Sequence, residues 1–145
     1  MQYMSLKSNR AVSLGFTLVE LLVVIAILGV LTALVLPNYQ NQAAAAKRTD
    51  ATVALLEARQ QMERFYSKNY TYVGATAGTG ASDTVYSVAP RSGTKTYDIS
   101  ISSQSATGYT LAAAPVDSGD MCGSMTINNA GIKTTGGSTV EECWR

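Results

Sequence analysis

The feature that most limits this chain is an unbroken apolar run from Phe16 to Leu36, FTLVELLVVIAILGVLTALVL, with Glu20 as its one ionisable residue. Its length matches the roughly 20 residues a helix needs to cross a bilayer core. A secretory signal would have a shorter apolar region, followed by a small-residue cleavage site. Pro37 and Asn38 follow instead, so the run reads as an anchor that is kept. Flanking charge does not set its orientation, because Lys7 and Arg10 on one side are opposed by Lys47 and Arg48 on the other.

Glu20 is the most informative residue. A carboxylate inside a lipid-facing helix costs about 2.5–3.5 kcal/mol, so its presence asks for a partner. A cut between Gly15 and Phe16 would create a free amine one helical turn before Glu20. In an apolar filament core, the amine of a neighbouring subunit would neutralise that carboxylate strongly and selectively. The alternative is a carboxylate near the membrane face that stays hydrated or protonated.

The 145 residues suffice for one domain with a modest core. Such a core usually needs a staple, and Cys122 and Cys143 form a lone late pair in a chain without histidine. That pattern reads better as a disulfide than as a metal or catalytic site, and a disulfide places the carboxyl-terminal part outside the cytosol. The net charge of +1 includes Lys7 and Arg10, and removing residues 1–15 brings it to about −1. From Arg91 onward the chain is slightly acidic, which disfavours nucleic acid as a partner without excluding a local patch.

From Asn38 to Tyr66 there is no glycine or further proline, and the composition favours helix. Ala51, Leu55, Ala58, Met62 and Phe65 form an apolar stripe for a sheet to cover. Lys47, Arg48, Glu57, Arg59, Glu63 and Arg64 fall mostly off the stripe and read as a solvated or subunit-facing surface. Helix from Phe16 to about Tyr66 would span roughly 75 Å. Phe65, Tyr66, Tyr70 and Tyr72 mark its exit and are expected to anchor the following loop to the core. Val73 to Ser92 reads as a polar, exposed connection. Tyr97/Ile99/Ile101, Tyr109/Leu111/Ala113 and Met125/Ile127 then alternate with other residues, and Asn128-Asn129-Ala130-Gly131 is a strong turn before Ile132. The expected fold is α+β, a long N-terminal helix packed against a small antiparallel sheet. Asp117, Asp120, Glu141 and Glu142 suggest a calcium site only weakly, being widely spaced.

The stretch Gly15-Phe16-Thr17-Leu18-Val19-Glu20, after a short basic leader and before the apolar run, closely resembles the class III signal of type IV pilins and pseudopilins. In that family a membrane aspartyl peptidase cuts after the glycine and methylates the new amino terminus. The resemblance therefore implies cleavage between Gly15 and Phe16, N-methylation of Phe16, and a role for Glu20 in guiding the subunit into a filament. The short leader and Phe16 resemble the type IVa branch, in which a proline such as Pro37 often follows the spanning segment and bends or melts the helix. The implied organisation is a leader at 1–15, a membrane and filament-core helix at 16–36, an amphipathic continuation at 37–66 and a pilin-like head at 67–145. Within the head, the resemblance assigns 73–92 to a variable loop and 122–143 to a disulfide-bounded loop used in subunit contacts or surface binding.

The function so implied is that of a structural subunit of a type IV pilus, serving twitching motility, adhesion or assembly, and the compact head and short loops favour a minor over a major pilin. Its implied partners are other pilin subunits, the prepilin peptidase, the inner-membrane assembly machinery and, before assembly, the membrane itself. Its implied location is the bacterial inner membrane and then an extracellular pilus. The alternatives are a receptor for DNA during uptake and a pseudopilin of a type II secretion system. No cofactor is expected, and no enzyme: histidine, a nucleophile elbow and a phosphate-cradling glycine loop are all missing.

Overall fold

The computed structural model describes residues 15–145, apart from the side chains at 34–38. The expected leader at 1–15 therefore lies, except for Gly15, outside the described residues. Helix α1 runs from Leu18 to Asn69. The chain divides into two compact units between Tyr39 and Gln40, and α1 contributes to both. Helix continues through Pro37, whose side chain is among those not described. The carboxyl end of α1 lies at Asn69 rather than Tyr66. Tyr70 closes it by donating its N–H to the Tyr66 carbonyl at 2.7 Å in a left-handed conformation, φ 56°.

In the second unit, α1 packs against an antiparallel meander of β3 (Val88–Ala89), β4 (Tyr97–Gln104), β5 (Tyr109–Pro115), β6 (Met125–Asn128) and β7 (Lys133–Thr135), in that spatial order. Register puts Ile99 opposite Ala113, and Leu111 between Ile101 and Ile127, so one face carries the apolar positions of all three central strands. Ala51, Leu55, Ala58 and Met62 of the helical stripe are buried with Tyr97, Ile99, Tyr109, Leu111, Met125 and Ile127. Each large side chain removed from water in this way contributes about 1.5–3 kcal/mol. Phe65, at the end of the stripe, is only partly buried.

Two expectations need correction. Segment 73–92 is not simply an exposed connection. It holds a short parallel pair, β1 (Ala77–Gly78) with β2 (Val85–Tyr86), it supplies β3, and it buries Ala75, Val85 and Ala89. These apolar positions are small and scattered among Ser, Thr and Gly, so no run of alternation marks them. The second correction concerns charged residues flanking the stripe. Arg48 donates through Nε to Asp120 at 3.2 Å, with little of either side chain exposed. Asp120 also accepts from the Tyr97 hydroxyl at 3.0 Å and from the Cys122 N–H at 2.8 Å. At the far end of the interface, Glu63 accepts from the hydroxyls of Tyr72 and Tyr109, both at 2.9 Å. The Arg59 guanidinium reaches the Asn129 carbonyl. Arg48, Arg59 and Glu63 are long side chains one to three residues from buried stripe positions, and length carries their polar ends to the sheet.

Of the exit aromatics, Tyr66 stacks on Tyr72 with centroids 4.6 Å apart, and Tyr72 meets Tyr109 edge-on at 4.7 Å. Tyr70 takes no such role and is 81% exposed, because its left-handed backbone turns it away from the core.

Cys122 and Cys143 are joined by a disulfide with a Cα separation of 5.8 Å. It closes a loop of 21 residues in sequence separation, and by chain entropy that is worth about 3 kcal/mol. The loop contains edge strand β7 and the short helix α2 (Val140–Cys143). Trp144 donates Nε1 to the Thr134 carbonyl and lies beneath Lys133 Nζ, so the strap partly covers the sheet edge. Gly137 permits the crossing, because a Cβ there would collide with the Met121 carbonyl.

Removing the carboxylate of Asp120 leaves Arg48 unpaired in a nearly dry contact. Asp120→Ala is expected to lower stability by about 3 kcal/mol, measured as a lower urea midpoint at unchanged slope. A second expectation concerns pH. Burial, then the bond to Glu63, pushes the Tyr72 phenol up to about 12, and the same causes raise Tyr109. Burial, then the bond to Asp120, raises Tyr97. Because folded phenols hold protons that the unfolded chain releases above its ordinary value of 10.0, their contribution is intact below pH 10 and declines as pH rises above it, that of Tyr72 being lost through about 12. The melting temperature of the full chain in detergent should fall across that window, and less steeply for Tyr109→Phe.

Candidate functional site

Every described side chain from Phe16 to Ala33 is exposed within the protomer. Phe16 is 82% exposed, and Leu31, deeper in the run, is still 53% exposed. A helix that is apolar on all sides is stable only when something else covers it. Among the described residues no helix is long and apolar enough to cross a membrane. Nothing lies within 4 Å of a Cβ built on Gly29, which leaves room for a neighbouring helix to approach closely.

The start of this helix is set locally. Thr17 is the N-cap: its Oγ1 accepts the Glu20 N–H at 3.2 Å, and its carbonyl accepts the Leu21 N–H at 3.2 Å. Glu20 is thus in the first turn, where the helix dipole favours a carboxylate. Gly15 and Phe16 lie before the cap, outside the helix and exposed. Thr17 escaped the reading from sequence, although Thr17-x-x-Glu20 is a capping-box pattern.

The disulfide loop forms a second surface. Asp120 is engaged by Arg48 and Tyr97, and Ser138 binds the Glu142 carboxylate and holds it below its usual range. Asp120 and Glu142 are thus engaged in separate contacts, and no cluster of three or more metal-ligating side chains occurs among the described residues. Met121 and Val116 expose apolar surface beside the loop.

A third surface was not anticipated. A groove between α1 and segment 73–92 is lined by Gln61, Arg64 and Lys68 and, on the other side, by Ser82, Asp83 and Thr84. Gln61 and Arg64 also line an adjoining cleft with Arg91. The Arg91 guanidinium lies 4.1 Å from the Tyr86 ring centre and 2.9 Å from the Glu57 carboxylate. A near-neutral total concealed this concentration of cations. The i, i+4 spacing of Arg64 and Lys68 was the signal available in the sequence.

A family model described as type IV minor pilin ComP, DNA uptake sequence receptor, matches residues 37–126. A prokaryotic N-terminal methylation motif matches residues 10–36. The fimbrial protein EcpC of Eikenella corrodens is 34% identical over 76 residues, covering 52% of this chain and 50% of its own. The type II secretion system core protein G of Dickeya chrysanthemi is 37% identical over 67 residues, 46% of this chain and 44% of its own. The chain thus spans about half the length of these curated relatives. The structure of the non-core minor pilin PilV of Neisseria meningitidis superposes with a TM-score of 0.51 at 21% identity, covering 68% of this chain and 91% of that one. This last likeness concerns the fold alone.

Proposed function

The protein belongs to the type IV minor pilin ComP family, whose model takes in well over half of it, and from that premise we propose that it is a structural subunit of a type IV pilus. The observation that carries the proposal is the first half of α1, apolar all round, uncovered by the other described residues and bearing Glu20 in its first turn. Lipid covers that surface before assembly and the helices of other subunits cover it afterwards. Cleavage between Gly15 and Phe16 by the prepilin peptidase, followed by N-methylation, supplies an amine to Glu20 of an adjacent subunit. Pro37 gives the helix local freedom at the boundary with the head, and the loop between Cys122 and Cys143 faces neighbours or the surroundings. The protein resides in the inner membrane, then in the extracellular filament, by way of the assembly machinery.

Mass spectrometry of the mature chain should find a methylated Phe16 at its amino terminus. Glu20→Ala should be processed normally yet enter sheared filaments at least about tenfold less often, the loss expected when a buried ion-pair partner is removed. Equal incorporation of the variant would remove the basis of the assembly mechanism.

A second role, binding of DNA during uptake, is favoured by the family description together with two adjoining clefts, one bearing Arg64, Lys68 and Asp83 and the other Arg64, Glu57 and Arg91, the last over Tyr86. Phosphates need clustered cations, and such binding weakens with salt. The full chain in detergent should retard duplex DNA at low salt. Arg64→Ala and Lys68→Ala should each weaken binding and reduce the salt slope by about 1. No retardation at low salt would sink this role and leave the structural one standing.

A further inference from the structure

The bond proposed for cleavage lies immediately before the residue that starts α1. Residues 15–17 are non-helical and exposed, and Leu18 is the first helical residue. Helix begins there because Thr17 supplies both N-cap bonds, its Oγ1 to the Glu20 N–H and its carbonyl to the Leu21 N–H. Glu20 occupies the third position of the same turn, completing the Thr-x-x-Glu pattern of a capping box. A peptidase engages the backbone N–H and C=O groups on both sides of the bond it cuts. Inside a helix those groups are already paired, and cutting there requires local unwinding.

We infer that Thr17 is a positioning residue for processing: by capping α1 it holds the helix off the Gly15–Phe16 peptide and keeps that bond in a non-helical, cleavable form. This inference rests on the processing reading above. Glycine at position 15 helps, being a poor helix former, but it cannot define the boundary by itself. A helix in apolar surroundings gains by pairing every N–H it can. Without the threonine oxygen, the uncapped first turn is best satisfied by extending back over Phe16 and Gly15. The Glu20 side chain keeps its place in sequence through such a change, so its part in assembly is separable from the cap.

The test compares four variants of the full-length precursor in membranes containing prepilin peptidase, following the ratio of precursor to mature chain by mass spectrometry over time. Thr17→Ala and Thr17→Val remove the cap and should be cleaved roughly fivefold more slowly, the factor a lost N-cap corresponds to. Thr17→Ser and Thr17→Asn keep a capping oxygen and should match the unaltered chain. The Phe16 carbonyl chemical shift, recorded in detergent micelles, should move to a helical value in Thr17→Ala and Thr17→Val but not in Thr17→Ser or Thr17→Asn. Equal cleavage of all four variants would overturn the inference. Slow cleavage of all four would overturn it as well, because the peptidase would then be reading the threonine side chain itself. If the unaltered precursor is not cut at Gly15–Phe16, the processing reading fails too, a result distinct from either of these.

Discussion

Everything in this protein follows from a helical surface that the described residues leave bare. The head buries the stripe of Ala51, Leu55, Ala58 and Met62 completely, while Phe16, Leu18 and the residues up to Ala33 stay exposed. The two stretches belong to one helix but face different surroundings. One has a sheet to lie against, and the other is left exposed by the described residues. In the assembly proposed above, Glu20 turns this need into a choice of partner, because apolar contact alone is non-directional and an ion pair in a greasy bundle admits few geometries.

The head is small, and polar contacts supplement its core. Asp120 ties Arg48 of the helix to Tyr97 of the sheet, two residues before the cysteine that opens the disulfide loop. Glu63 makes the equivalent tie to Tyr109 and Tyr72 at the other end of the interface. The buried stripe lies between these two carboxylates, so the sheet is held at both ends of its contact with α1. The disulfide fastens the last residues over β7, where an open edge would otherwise invite another strand.

The parts of the fold that were legible share a property. The alternation of Tyr97, Ile99 and Ile101, and of Tyr109, Leu111 and Ala113, survives translation into strands because each large residue faces the same core. The stripe on α1 is legible for the same reason. β1, β2 and β3 were not, since two-residue strands exist through partners distant in sequence, such as Val88 with Asp98. The adjoining clefts of Arg64 with Lys68 and of Arg64 with Arg91 were equally hidden, because Arg91 reaches α1 only when segment 73–92 folds back onto it. Membership of the pilin family was legible from six residues, Gly15 to Glu20, because their chemistry is local.

The sequence by itself determined the long helix, its apolar first half, the lone carboxylate, the antiparallel head and the cysteine pair. Each follows from periodicity, composition or spacing along the chain, quantities that need no third dimension. Tertiary structure alone decided which charges became internal ties, where the cations gathered and how the edge strand was covered. Those outcomes depend on contacts between residues as far apart as Arg48 and Asp120, and only the folded chain brings such residues within hydrogen-bonding distance.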